Sequence, residues 1–82
     1  MPESIREVLG LGKVPPQNTE AEMAVLGSML IEKEAALKAF DMLREGDFYS
    51  PTHQIVFEAI RTLHDQNVAA DIVTVGDYLQ HN

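Results

Sequence analysis

Cysteine is absent from the 82 residues, which excludes a disulfide framework and any thiolate metal site. Tryptophan is absent too, and two tyrosines and three phenylalanines are the whole aromatic complement. Basic residues are scarce: six Lys and Arg stand against thirteen Asp and Glu, for a formal charge of -7. Binding to duplex or single-stranded nucleic acid relies on clustered Lys and Arg that displace counterions. Arg6, Lys13, Lys33, Lys38, Arg44 and Arg61 are instead scattered, so direct nucleic-acid binding is not expected. No apolar run reaches the length of a membrane span, and the first residues lack the apolar stretch of a secretory signal. Together these absences point to a cytoplasmic protein with no membrane contact.

The content that remains is 45% apolar and 23% charged, ordinary for a folded domain and too apolar for disorder. One domain at most fits this length, and folding would hide only about 60 to 65% of the surface that an unfolded chain exposes. Residues 1–14 read as a flexible N-terminal tail or a short helix, since Ile5, Val8 and Leu9 have helical spacing before Gly10. The "GLGK" at 10–13 is not a phosphate loop, because Glu7 and Val14 stand where that loop needs Gly and Ser or Thr. Residues 15–82 read as the domain proper, entered through Pro15-Pro16.

"NTEAEMAVLGSMLIE" carries capping-box spacing at Thr19 and Glu22 and predicts a helix start there. Met23, Leu26, Gly27 and Leu30 share one arc, with Val25, Met29 and Ile31 directed elsewhere, the pattern of a central helix contacted from several sides. Gly27 in its interior suggests that another helix crosses closely. "EAALKAFDMLR" predicts an amphipathic helix with Ala36, Leu37, Phe40 and Leu43 inward and Glu34, Lys38 and Asp41 outward, closed by Gly46. Phe48 and Tyr49 follow as plugs for the base of the core. Ser50 as N-cap and Pro51 at the first helical position begin a helix running to about Gln66. Ile55, Val56, Ala59, Ile60 and Leu63 would face its core, and Gln54, Glu58, Arg61 and Asp65 water. Ile72 to Val75 are β-branched, yet a lone strand has no partner, so Asp71 as N-cap with Ile72, Val75 and Leu79 at helical spacing predicts a last helix. The fold class is all-α, a small orthogonal bundle of four to five helices. The sequence stops at Asn82 with no helix terminator, as a piece cut from something longer would.

Candidate chemistry is thin. His53 and His64 lie on one helix ~16 Å apart, too far to share a metal ion. His53, at the edge of the apolar arc, reads as a structural residue tying the Phe48-Tyr49 turn to the helix. Glu20, Glu22, Glu32 and Glu34 read as capping or solvent-facing carboxylates rather than an acid–base pair. Ser28 and Ser50 have no base placed to activate them. Met23, Met29 and Met42 fit core filling better than an adaptable binding surface. The residues predict no catalytic, cofactor-binding or metal-ligating group, and Val25, Met29 and Ile31, the spare apolar groups, form the candidate interaction surface.

Three stretches in order, "PPQNTEAEMAVLGSMLI", "DFYSPTHQIVFEAI" and "LHDQNVAADIVTVGDYL", resemble the N-terminal domain of the DnaB-type replicative DNA helicases. Pro16, Gln17, Glu20, Ala21, Glu22, Ala24, Leu26 and Gly27 match its first helix start. Asp47, Phe48, Tyr49 and His53 match its second motif, and Asp71 and Thr74 its third, so the likeness covers about Val14 to Leu79. The resemblance implies a helical head from the collar of a hexameric helicase that unwinds DNA at the replication fork. It also implies a separate motor domain, outside these residues, that binds ATP and Mg and contacts DNA. The implied partners are copies of the chain itself, the C-terminal domain of primase and, as a further candidate, a helicase loader. An unrelated acidic helical adaptor or dimerisation module is the alternative, and a small enzyme or metal-binding domain is a third, which would need convergent polar groups in a pocket.

Overall fold

The computed structural model describes residues 18–81. The tail expected over residues 1–14, the Pro15-Pro16 connector and Asn82 lie outside them. Four α-helices and one 3-10 turn make up the described chain, with no strand among these residues: α1 Thr19–Ile31, α2 Lys33–Met42, the turn Glu45–Asp47, α3 Pro51–Asp65 and α4 Ile72–His81. The all-α expectation holds.

Asn18, not Thr19, caps α1, its Oδ1 accepting the Ala21 N–H at 2.9 Å. Asn at this position leaves the Glu22 carboxylate out of the cap and available elsewhere. Glu32 is extended and joins α1 directly to α2, its N–H reaching the Ser28 carbonyl at 2.8 Å. The two helices pack through small residues: Ala21 on α1 and Ala35, Ala36 and Ala39 on α2 are all buried. α2 stops at Met42, earlier than Gly46, with Leu43 extended and buried.

α3 is the hub, touching α1, the turn and α4, so the central position expected for α1 belongs to it. Its start follows from the sequence: Ser50 Oγ accepts the His53 N–H at 3.4 Å, and Pro51 lacks an N–H that a first turn would leave unbonded. Its end is a Schellman closure, in which the Asn67 N–H meets the His64 carbonyl at 3.0 Å and the Val68 N–H the Leu63 carbonyl at 2.9 Å. Asn67 takes the φ of +60° this closure requires, a conformation Asn tolerates better than most side chains. α4 forms despite its β-branched start because Asp71 and Thr74 cap each other's backbone. Asp71 Oδ1 accepts the Thr74 N–H at 2.8 Å, and Thr74 Oγ1 accepts the Asp71 N–H at 2.9 Å.

The core runs along α3, where Phe57, Ala59, Ile60 and Leu63 meet Val25, Leu26 and Met29 of α1, Leu43, Phe48 and Val75. Several expected faces differ. Val25 and Met29 are buried, so of the candidate interaction surface Ile31 alone, 80% exposed, is open to a partner. Met23, expected inward, is 63% exposed. Apolar residues lie all around α1, so its pattern left the buried stripe ambiguous; the stripe is Glu22, Val25, Leu26 and Met29. Nothing lies within 4 Å of a Cβ built on Gly27, so no helix crosses closely there. Ile55, Leu37 and Tyr49, expected inward, are exposed, whereas Phe57 is fully buried and Phe48 plugs the core.

Candidate functional site

The one buried charged side chain among the described residues is Glu22, with no exposed surface at all. It was expected at a cap or in solvent; instead the α1 stripe that carries Val25, Leu26 and Met29 inward carries Glu22 with them. Its carboxylate meets the start of α3. Oε2 accepts the Tyr49 N–H at 2.6 Å, and Oε1 accepts the Ser50 N–H at 3.2 Å and lies 2.7 Å from His53 Nδ1. These are the backbone donors that no helix can satisfy internally, so a carboxylate 27 or more residues away in sequence completes the cap of α3.

The electrostatics balance in favour of the anion. Burial alone pushes the Glu22 carboxyl up, but the His53 hydrogen bond, the Tyr49 and Ser50 N–H groups and the charge of His53 together hold it below its ordinary value of 4.5. An ionised carboxylate only accepts, so His53 Nδ1 carries the proton in this bond. His53 is thus a brace between helices, joined through the Glu22 carboxylate to the Tyr49 N–H of the turn.

The other motif residues surround this cluster or repeat its logic. Asp47 Oδ2 accepts the Arg44 N–H at 2.8 Å and closes the 3-10 turn, setting Phe48 into the core. The Phe48 carbonyl accepts from Gln54 Nε2 at 2.7 Å. Tyr49 is 59% exposed while its N–H is held by Glu22. Leu26 is buried, Glu20 is exposed, and Asp71 and Thr74 lie at the far end of α3, away from Glu22.

Sequence reasoning missed a second tether, Arg61. Expected in water, it reaches back over α2, where its guanidinium donates to the Phe40 carbonyl at 3.1 Å and lies 5.5 Å from the Phe40 ring and 5.3 Å from the Phe57 ring. α2 has no basic residue in its last turn, and Arg61 supplies the positive charge that its carbonyl end favours.

A carboxylate oriented on an imidazole can serve a nucleophile, but here the carboxylate is filled by backbone donors, and the hydroxyl of Ser50 accepts from the α3 backbone. No group of three or more His, Cys, Asp or Glu among the described residues could hold a metal ion. The polar cluster locks helices together, and among the described residues eight large apolar side chains are exposed, Ile31, Ile72 and Val73 among them. What these features define is a small helical domain with an internal polar brace and several apolar side chains exposed on its surface.

The sequence profile of the DnaB-like helicase N terminal domain matches residues 14–82, and the chain belongs to that family. It is 48% identical over 65 residues to the replicative DNA helicase DnaB of Mycobacterium leprae, covering 79% of this chain and 11% of that protein. Against the replicative DNA helicase DnaB of Rhodothermus marinus it is 48% identical over 69 residues, 84% of this chain and 7% of the relative. The corresponding protein of Treponema pallidum is 39% identical over 80 residues, 98% of this chain and 18% of its own length. The chain therefore spans less than a fifth of each of these relatives. No solved structure matches it significantly.

Proposed function

We propose that this chain is the N-terminal head of a replicative DNA helicase and acts in assembly. It packs with its own copies in the collar of a hexameric ring and offers part of the surface on which the C-terminal domain of primase docks. Residues 15–82 are the head and residues 1–14 its leading segment. DNA unwinding, with ATP and Mg, belongs to a motor domain elsewhere in the longer protein. The observation that carries this reading is the match of residues 14–82 to the DnaB-like helicase N terminal domain, together with relatives that are named replicative DNA helicases.

Two physical features support it. Exposed Met23, Ile55 and Ile72 give apolar surface of the kind that assembling domains bury. A formal charge of -7 keeps a collar from trapping the DNA that the motor must move. No helix among the described residues is long and apolar enough to cross a membrane, in keeping with a cytoplasmic helicase.

The test is an amide-correlation NMR titration of the labelled 82-residue chain with the C-terminal domain of the cognate primase. Localised shifts support docking on the head. A dispersed spectrum that does not move assigns docking to another part of the helicase and removes primase from this chain's role. Retention of single-stranded DNA in a salt titration would contradict the non-binding collar.

A further inference from the structure

Between the α1–α2 elbow, the end of α3 and the connector that follows it lies a cleft of about 420 Å³, floored by Met29, Ala36 and Ile60. Across the connector a second, shallower cleft of about 380 Å³ runs between α3 and α4 and is walled by Leu63 and Val73. Val68 lines both, so the two clefts adjoin at the connector and form one strip of mixed apolar and polar lining. Ile31, 80% exposed, lines the first cleft and Val73, 77% exposed, the second. Concave apolar surface flanked by such side chains is the shape that accepts an amphipathic helix, whose anchors recur every three to four residues.

The charge along the strip selects the helix. Asp71 lines the first cleft and Asp77 the second. Exposed Glu32 sits between the lining residues Ile31 and Lys33, and exposed Asp65 follows the lining residue His64. Among the described residues Lys33 is the one Lys or Arg that lines either cleft, with the imidazoles of His64 and His81 as the other nitrogen bases there. An anionic lipid surface, a nucleic acid or a second copy with the same carboxylates is repelled by this rim, whereas Lys and Arg are drawn to it. We propose that the strip receives an amphipathic helix of a partner protein whose polar flank is basic.

The probe is a synthetic helical peptide of about 15 residues, leucines along one face and lysines on the other, with a twin in which glutamate replaces lysine. It is titrated into the labelled 82-residue chain and followed by NMR. Shifts confined to residues 29–40 and 60–81, roughly tenfold weaker binding by the glutamate twin and weakening from about 50 to about 500 mM salt are expected. The double variant Ile31→Ser, Val73→Ser should lose roughly tenfold in affinity with its melting curve unchanged, since both side chains lie outside the core. Shifts spread over every acidic helix and indifferent to the double variant would reduce the effect to bare charge and overturn the proposal. Concentration-dependent dimerisation of the free chain that the double variant abolishes would also overturn it, by assigning the strip to a second copy.

Discussion

Replacing Glu22 by glutamine keeps the size of the side chain and removes its charge, which makes it the sharpest probe of the polar brace. Glutamine has one acceptor oxygen where glutamate has two. In its better orientation that oxygen stays with Ser50 and His53, and the amide NH₂ then confronts the Tyr49 N–H that Oε2 now accepts at 2.6 Å. A buried donor left facing a donor costs about 1 to 3 kcal/mol, and the remaining bonds lose their charge assistance. A total near 2 to 4 kcal/mol is a large share of the roughly 4 to 12 kcal/mol that holds a domain of this size together. Each kcal/mol moves the melting temperature of such a domain by about 4 to 8 °C, so thermal unfolding followed by circular dichroism at neutral pH should show a fall of roughly 10 to 30 °C. The pH dependence supplies a second check. Because Glu22 sits below its ordinary 4.5 in the folded state, its contribution is present above that pH and is lost as pH falls through the folded value. The gap between wild type and Glu22→Gln should therefore stand open above pH 4.5 and close below it. A variant melting within about 3 °C of wild type at neutral pH would refute the account of the brace.

His53→Ala should lower stability by ~1 to 3 kcal/mol in urea unfolding, through loss of the Glu22 partner; an unchanged curve would show that His53 braces nothing. Gly27→Ala should stabilise by about 0.5 to 1 kcal/mol, since a Cβ meets nothing within 4 Å and the helix gains propensity; a loss in melting temperature would mean a hidden close contact. Thr74→Ala removes half of the reciprocal cap of α4 and should cost about 0.5 to 2 kcal/mol, with hydrogen exchange rising first in α4. Arg61→Met keeps the stem but drops the bond to the Phe40 carbonyl and the ring contacts, for a loss of about 1 to 3 kcal/mol; a melting temperature equal to that of wild type would return Arg61 to the solvated role that its sequence position suggested.

Local chemistry made some of this structure legible and long-range packing hid the rest. α3 could be placed from Ser50 and Pro51 because capping is decided within four residues. α4 could be placed against its β-branched propensity because Asp71 and Thr74 form their cap locally. Glu22 was misread for the opposite reason: its partners lie 27 to 31 residues ahead, and Asn18 took the cap that the Thr19 and Glu22 spacing suggested. A signal was nonetheless there. Glu22, Val25, Leu26 and Met29 recur at i, i+3, i+4 and i+7, so an acid stood on the apolar stripe itself, with a histidine at the start of a later helix to meet it. The face of α1 was ambiguous because apolar residues surround it, and only contact with α2 and α3 chooses Val25 and Met29 over Met23. Arg61 lay on the polar side of its wheel, where a stem long enough to reach a neighbouring helix looks the same as one that ends in water.

The proposal to be tested is that this domain couples a helicase to its partners and takes no part in the motor's chemistry. The most direct measurement compares the intact helicase that carries this sequence with a form lacking residues 1–82, reading ATP hydrolysis and helicase-stimulated primer synthesis by primase side by side. The account predicts that ATP hydrolysis persists and the stimulation of primase is lost. Loss of hydrolysis in a form that still assembles, or stimulation that survives the deletion, would contradict it.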